Sequence, residues 1–332
     1  EPKIIDNLEE LNTVENVCGI KIFMGCSTGT LLVSDKTALE RIFTETAGLI
    51  AVHAEDEDRM NERRKLVEGR TDVAAHAYYR DDITALLATK LAVELAVKTG
   101  HRLHILHLTS GIEADYLSDY CNLPSKSEHH PIITTEVLPQ HLTFDETDVD
   151  EKGVRLQMNP PIRYSADREI LWSRLNDGTI QCIATDHAPH TLEAKSKGFP
   201  HAPSGMPGVE TSLAVMLNYV NEGKCSLEDV VRWMSSNVAD CYQMIGKGRL
   251  KEGYDGDIVL VDMNHSAVVK DEECWTRVEW SPYAGKELVG WPVLTVVNGT
   301  PVFERNQITG HKGKIMVEPG SVGEPILMSP WK

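Results

Sequence analysis

Five short apolar runs, each followed by sequence with the pattern of a helix, constrain the fold of this chain more than any other feature. They lie at residues 18–25, 49–53, 102–108, 131–139 and 180–185. Apolar runs of this length that alternate with helical sequence predict parallel βα units, and therefore an α/β fold. Neither GxGxxG nor GxxxxGKS/T follows any run, which disfavours the nucleotide-binding versions of that fold.

The segments between the runs carry recognisable helix ends. Ser34-Asp35 is a candidate start for the helix that follows it, and Gly100 is a candidate stop for the amphipathic segment 83–100. Residues 6–16 and 166–176 also have helical patterns, and 209–246 has the pattern of two or three helices. From residue 248 the pattern changes to short strands with turns, and Val-Asn-Gly-Thr at 297–300 predicts a hairpin.

Composition excludes several classes of partner. Fifty acidic and 33 basic residues give a net charge of −17, which argues against a nucleic-acid or anionic-membrane surface. The seven cysteines are odd in number and form no CxxC pair, so we expect reduced thiols and a cytoplasmic location. No apolar run approaches the roughly 20 residues that a membrane helix needs.

Polar residues stand at corresponding places in the five predicted strands. The first strand carries Lys21, and the next four end on His53, His107, Glu136 and Asp186. Such residues converge if the parallel strands close into a barrel, because the carboxyl ends of the strands then surround one site. Two imidazoles and a carboxylate are suitable ligands for zinc or a similar divalent ion.

Lys21 requires a separate argument because it lies inside the apolar run IKIFM. Burial of an ammonium group is costly unless the group is paired or neutral. A neutral lysine can add carbon dioxide to become a carbamate, which is a carboxylate able to bridge two metals. An ion pair with a strand-end carboxylate explains the position equally well, so both interpretations stay open.

Four other histidines are interpreted as structural or surface residues. His104 precedes His107 by three positions and is expected to face the opposite side of the strand. His76 lies on a predicted helical face. His129 and His130 precede the fourth strand, at the end of the sheet away from the chemistry, and are expected at the surface.

The chain resembles dihydroorotases of the amidohydrolase superfamily from about residue 17 to its C-terminus. The resemblance rests on GIKIFMG, AVHAED, HILHLTSG, TTEVLPQHL, MNPPIR, ATDHAPHT, APSGMPGVET and the closing GRLKEGYDGDIVLVD and VVNGTPVF. KIFMG and HAED also fit hydantoinases and allantoinases, whereas MNPPIR with TDHAPHT and GMPGVET favours dihydroorotase. The resemblance implies a TIM-type (β/α)8 barrel over residues 1–247 and a small C-terminal β domain over 248–332.

The resemblance also implies a site and an activity. Lys21 would be carboxylated and bridge two zinc ions, with His53 and His107 on the second metal and Asp186 on the first. Asp186 would also move the proton. The substrate contacts would be Asn159 and His190, with backbone contacts from Ser204 and Gly205. The implied reaction is the reversible hydrolysis of dihydroorotate, a small anion, to N-carbamoyl-aspartate in pyrimidine biosynthesis, carried out by a cytoplasmic homodimer.

One part of the family pattern is missing from these 332 residues. The family's first strand carries an HxH pair for the first metal and then an arginine for the substrate carboxylate, and no HxH occurs in this sequence. Compared with an eight-stranded barrel of about 250 residues, roughly a hundred residues are expected to precede the present chain. A different cyclic amidase, such as a hydantoinase or allantoinase, and a non-catalytic scaffold of the same fold remain the alternatives.

Overall fold

A computed structural model describes residues 7–13, 17–27, 31–121, 132–305, 314–317 and 326–328. The described strands form a five-stranded parallel sheet in the order β1-β2-β3-β4-β5 and a four-stranded antiparallel sheet in the order β6-β7-β8-β9. Their bounds are β1 Ile20–Phe23, β2 Leu49–His53, β3 Arg102–Leu108, β4 Ile133–Val137, β5 Cys182–Ile183, β6 Ile258–Val268, β7 Glu287–Val297, β8 Thr300–Glu304 and β9 Lys314–Ile315.

Helices connect the parallel strands and continue after β5. Within the described residues they are α1 Leu8–Leu11, α2 Lys36–Glu45, α3 Glu57–Arg64, α4 Ala74–Tyr79, α5 Asp82–Thr99, α6 Gly111–Leu117, α7 Pro139–Thr143, α8 Glu146–Lys152, α9 Ser165–Asn176, α10 Leu192–Lys195, α11 Ser212–Asn221, α12 Leu227–Val231 and α13 Asn237–Cys241. A π-helical turn, Arg232–Ser236, joins the last two.

The parallel sheet confirms the predicted α/β fold, since each of the five predicted runs contains one of its strands. Every residue of β2 and of β4 is buried, as expected for strands covered on both faces. Strand order follows chain order, so the polar ends of neighbouring strands lie side by side. Closure into an eight-stranded barrel stays a prediction, because the described sheet has five strands.

Two predicted helix ends are confirmed by their capping contacts. The Asp35 side chain accepts a hydrogen bond from the Ala38 N–H at the start of α2, which satisfies one of the free donors of the first turn. Gly100 ends α5 with a φ of 67°, in the left-handed region where glycine has no steric penalty.

The C-terminal strands and the predicted hairpin are also confirmed. Asn298 and Gly299 connect β7 to β8, and both have positive φ, as a two-residue hairpin turn requires. The antiparallel sheet packs against α11, where Asn221 Nδ2 donates to the carbonyls of Met263 and Val289 at 3.0 and 2.9 Å. The boundary at residue 247 stays a prediction.

Two expectations about the parallel sheet are wrong. Lys21 is exposed, because β1 is the edge strand of the described sheet and its neighbour β2 covers only one side. His104 does not face away from the site. It is in register with Ala51, which is in register with Lys21, so these positions share one face of the sheet. His129 and His130 lie outside the described residues.

The cysteines agree with the expected reduced state, since all seven are free thiols. Among the described helices, none has the length and apolar character needed to cross a bilayer.

Candidate metal and substrate site

Two histidines meet at the carboxyl ends of neighbouring strands. His53 ends β2 and His107 lies near the end of β3, with exposed fractions of 1% and 4%. His53 Nδ1 lies 3.1 Å from His107 Nε2, and the two ring centroids are 4.8 Å apart. The structure therefore brings together the two residues that were predicted to share a metal.

Backbone conformation, not strand alternation, turns His107 toward His53. Side-chain alternation would direct His107 to the same face as Leu103 and Ile105. The strand register instead breaks between Ile105 and Leu108, and His107 has a φ of 37°. Asp186 has a φ of 41°. Left-handed backbone at residues other than glycine is uncommon and concentrates at functional sites, and here it occurs at two predicted metal ligands.

Glu55 holds the His53 ring from behind. Its Oε2 accepts from His53 Nε2 at 2.8 Å and also accepts a hydrogen bond from Arg80 Nη1. Burial disfavours the Glu55 carboxylate, yet Arg80 and His53 outweigh burial and lower the pKa of Glu55 to about 2. A proton on His53 Nε2 leaves Nδ1 as the lone-pair nitrogen that faces His107, which is the usual arrangement behind a metal-binding histidine.

The spacing of the His53–His107 pair and the neutral ring of His107 fit a zinc ion. Within the described residues, no group of three or more histidine, cysteine or carboxylate side chains is arranged to hold a metal. The 3.1 Å between the two nitrogens nevertheless approaches the separation of about 3.3 Å between two ligands of a tetrahedral zinc. Burial and the neighbouring His53 lower the pKa of His107 to about 3, so its ring is neutral, as a metal ligand must be.

Lys21 and Asp186 lie within electrostatic range of the histidine pair. Burial raises the pKa of the Asp186 carboxyl, and the proximity of Lys21 and His53 opposes that rise. Lys21 also contributes to the lowered pKa of His107, after burial and His53. The four predicted metal-site side chains are therefore close enough to affect one another's pKa values, and we call them the strand-end cluster: Lys21, His53, His107 and Asp186.

Glu136 lies beside this cluster as a structural partner. Its Oε1 accepts from the His107 backbone N–H at 3.3 Å, and its Oε2 lies 3.1 Å from His104 Nε2. In these contacts Glu136 binds protein groups on the third strand, β3.

A cavity of about 750 Å³ contains two of the predicted substrate contacts, Asn159 and Ser204. Basic side chains are prominent in its lining: Arg64, Lys65, Arg70 and Arg80. His53, His107 and Asp186 do not line it. Arg80 connects the two regions, because it lines the cavity and donates to Glu55, the partner of His53.

Asn159 is buried and held on both sides of its amide. Its Oδ1 accepts from His76 Nε2 at 2.9 Å, and its Nδ2 donates to the Ser27 carbonyl at 3.0 Å. His76 is itself a lining residue of the cavity, so the residue interpreted as structural supports a predicted substrate contact. Burial lowers the pKa of His76 to about 3, so its ring is neutral.

The remaining predicted substrate contacts lie together in two adjacent loops. His190 Nε2 lies 3.1 Å from the Ser204 carbonyl oxygen, and the Gly205 N–H donates to the Gln157 carbonyl at 2.9 Å. Gly205 has a φ of 129°, and a Cβ at this position would lie 2.4 Å from the Ala188 carbonyl oxygen. Only glycine allows the loop to approach Ala188 this closely.

Sequence reasoning missed three residues that organise the site. Glu55 had a local signal, since it follows His53 by two positions in HAED. Arg80 and Lys195 had none, because the groups they contact are distant in sequence or are backbone carbonyls.

Comparisons with known proteins agree with this architecture. The sequence model of the Amidohydrolase family matches residues 37–302. A curated dihydroorotase from Halobacterium salinarum is 33% identical over 299 residues, covering 89% of this chain and 67% of the relative. A dihydroorotase from Methanosarcina mazei is 30% identical over 326 residues, covering 96% and 71%. The chain thus spans about two thirds of the length of these relatives.

Solved structures match closely as well. An L-hydantoinase (dihydropyrimidinase) from Arthrobacter aurescens superposes with a TM-score of 0.87 at 28% identity, covering 98% of this chain and 71% of that one. A dihydropyrimidinase from Brevibacillus agri gives a TM-score of 0.81 at 27% identity, covering 93% and 68%. On the extent of the family match and the identity to these relatives, the chain belongs to the amidohydrolase family.

Proposed function

We propose that the chain belongs to a zinc-dependent dihydroorotase, which reversibly hydrolyses the cyclic amide of dihydroorotate to N-carbamoyl-aspartate. The observation that carries the proposal is the contact of His53 Nδ1 with His107 Nε2 at the strand ends, in a chain whose curated relatives are dihydroorotases. We also propose that the five parallel strands are part of a (β/α)8 barrel. The activity is proposed for the whole protein, because this chain spans about two thirds of its relatives.

Zinc would be held by the strand-end cluster. His53 and His107 would bind one ion, Asp186 would bind a second, and a carboxylated Lys21 would lie between them. Bound zinc polarises a carbonyl and lowers the pKa of water toward about 7. Lys21 is exposed, so carbon dioxide can reach this side chain.

Asp186 is the proposed proton carrier. Burial raises the pKa of its carboxyl, which makes it a better base than an exposed aspartate. In the forward reaction it accepts a proton from the attacking water as the new C–O bond forms. It then delivers that proton to the ring nitrogen as the C–N bond breaks. Glu55 keeps the His53 ring in one orientation throughout.

The cavity and its loops are proposed to bind the substrate. Asn159 and His190 would contact the ring and the carboxylate, and the backbone at Ser204 and Gly205 would add further contacts. The basic side chains of the cavity lining favour an anionic substrate over a neutral one.

A hydantoinase is the second candidate, and the structural comparison favours it. The Arthrobacter aurescens L-hydantoinase superposes on 98% of the chain. Both enzymes open a cyclic amide, so the strand-end cluster would serve either reaction. The choice depends on whether the bound ring carries a carboxylate.

A substrate panel distinguishes these functions. The whole protein that contains this chain is purified and incubated with zinc and either N-carbamoyl-aspartate, dihydroorotate or hydantoin, and the products are separated by chromatography. Cyclisation of N-carbamoyl-aspartate supports dihydroorotase, whereas hydantoin opening alone would replace it with hydantoinase. If the whole protein binds no zinc and acts on none of these compounds, it is a non-catalytic scaffold.

The cellular setting is also part of the proposal. We expect a homodimer in the cytoplasm, and light scattering on the purified chain checks the predicted mass of two chains.

A further inference from the structure

Lys195 is a fully buried lysine that the proposed reaction does not use. It ends the short helix α10, and its exposed fraction is 1%. Its Nζ donates to three backbone carbonyls, those of Gln157 at 2.9 Å, Pro203 at 2.9 Å and Gly205 at 3.0 Å. These three bonds use all the donors of an ammonium group.

The three carbonyls come from the two loops that carry predicted substrate contacts. Gln157 precedes Asn159 by two positions, and Pro203 and Gly205 flank Ser204. The Gln157 carbonyl also accepts from the Gly205 N–H at 2.9 Å, and Gln157 Nε2 donates to the Ala202 carbonyl at 2.7 Å. One buried cation therefore joins both loops at a point where they already contact each other.

The direction of these carbonyls determines which backbone N–H groups face the cavity. In a trans peptide the C=O and the following N–H point in opposite directions. Because the Pro203 carbonyl points at Lys195, the Ser204 N–H points away from it. Pro203 and Ser204 both line the cavity.

Within the described part of the chain Lys195 has no acidic partner, so its burial would be unfavourable unless the carbonyls compensated for it. Burial lowers the pKa of Lys195 to about 7, which is the direction expected for a cation surrounded by neutral groups. A methionine of similar size would pack in the same space, so simple core filling does not require a lysine. Compared with methionine, the lysine adds three hydrogen bonds to backbone carbonyls.

We propose that Lys195 is a positioning residue, which orients the 203–205 loop so that the Ser204 N–H binds the anionic group of the substrate. The proposal rests on the function proposed above and deepens it. Lys195 itself would not touch the substrate. Lys195 aligns the loop before the substrate binds, so substrate binding does not have to supply the free energy for ordering the loop.

The test compares Lys195→Met with Lys197→Met, a matched control at an exposed lysine two positions along the chain. In the full chain loaded with zinc, Lys195→Met should raise KM for N-carbamoyl-aspartate at least about tenfold, the effect of losing one hydrogen bond to a charged group. The kcat should stay within about threefold, because the strand-end cluster is untouched. The control should match the wild-type chain.

Chemical rescue distinguishes the contribution of the Lys195 amine from that of its packing. Lys195→Ala opens space next to the cavity, and added propylamine should lower its KM whereas propanol should not. Lys195→Gln keeps two donors and should have an intermediate KM. Unchanged KM in folded Lys195→Met and Lys195→Gln overturns the proposal. Failure of both variants to fold also overturns it, since the residue would then serve the fold alone.

A second readout keeps this proposal separate from the proposed function. Hydrogen exchange of peptides covering residues 198–206 should be faster in Lys195→Met than in Lys197→Met, with the rest of the chain unchanged. This difference in exchange is expected even if the wild-type chain proves inactive on dihydroorotate and N-carbamoyl-aspartate. Such inactivity would contradict the proposed function but not the positioning role of Lys195. Equal exchange in both variants contradicts the positioning role.

Discussion

His104 and His107 lie three residues apart on one strand, and both are buried, yet their surroundings differ in every respect that matters for chemistry. His104 Nδ1 lies 2.8 Å from Thr134 Oγ1, and Nε2 lies 3.1 Å from Glu136 Oε2. His107 Nε2 faces His53, and its Nδ1 has no hydrogen-bond partner among the described residues. The first ring is satisfied by the protein, and the second is not.

The pKa values of the two rings also differ. Burial disfavours a charge on His104, but Cys241 and Glu136 outweigh it and raise the pKa to about 10. Burial and His53 lower the pKa of His107 to about 3. A buried charged histidine with both nitrogens bonded stabilises a fold, whereas a neutral one whose Nε2 faces only another histidine is suited to an external ligand. The predictions below test this distinction.

The largest effect is expected from Asp186→Asn in the strand-end cluster. An amide cannot accept the proton, so kcat for N-carbamoyl-aspartate cyclisation should fall by about 10²–10⁴-fold, the usual contribution of general acid–base catalysis. Asp58→Asn, at an exposed aspartate of α3, is the matched control. Turnover of Asp186→Asn within threefold of wild type would remove Asp186 from the mechanism.

Zinc affinity should distinguish the two histidines directly. His107→Ala removes a ligand, so the zinc Kd should rise more than the 10–100-fold typical of changes outside the ligand set. His104→Ala should raise the Kd less than His107→Ala does, since His104 contacts only protein groups and is linked to His107 only through Glu136. Competition with a chelator measures both values. Equal losses in the two variants would contradict the distinction.

Stability should respond in the opposite order in the zinc-free chain. His104→Ala removes one buried hydrogen-bond partner each from Glu136 and Thr134, which should lower the free energy of unfolding by about 1–3 kcal/mol. His107→Ala should lower the free energy of unfolding less, because the His107 ring has fewer hydrogen-bond partners within the protein. Urea denaturation followed by circular dichroism compares the variants. A larger loss in His107→Ala would show that His107 is the structural ring.

The last prediction concerns the pH dependence of stability. His107 has a folded pKa of about 3, and an unfolded histidine titrates near about 6.5, so the unfolded chain binds the extra proton between these values. Stability should therefore fall as pH drops from about 6.5 toward 3, and His107→Gln should flatten this dependence by up to about 1.4 kcal/mol per pH unit.

Zinc-free samples and the exposed His201→Gln control isolate that effect. Denaturation midpoints collected between pH 4 and pH 7 at constant ionic strength give the slopes. If His107→Gln and His201→Gln have the same slope, the His107 ring is not held neutral by burial.

Much of the fold follows from local sequence signals. The five strands were predictable from short apolar runs, the ends of α2 and α5 from Asp35 and Gly100, and the β7–β8 turn from Asn298-Gly299. Each of these signals acts between residues close in the chain, through capping, steric freedom or periodicity, so it is readable without coordinates.

Parts of the site could not be predicted from such local signals. Alternation placed His104 and His107 on opposite faces, but the left-handed conformation of His107 brings its ring to His53. The apolar run IKIFM predicts that Lys21 is buried, yet Lys21 is exposed because β1 is the edge strand of the described sheet. Strand register, edges and bulges depend on neighbouring strands, which periodicity does not encode.

By itself the sequence determined the parallel α/β order, the C-terminal antiparallel strands and the polar residues at the strand ends. Only the tertiary structure decided which of those residues meet and what holds them, as in the Glu55–Arg80 contact behind His53 and the three carbonyls around Lys195. The reason is physical. Local propensity sets each element, but a buried charge is stable only where groups distant in sequence fold around it.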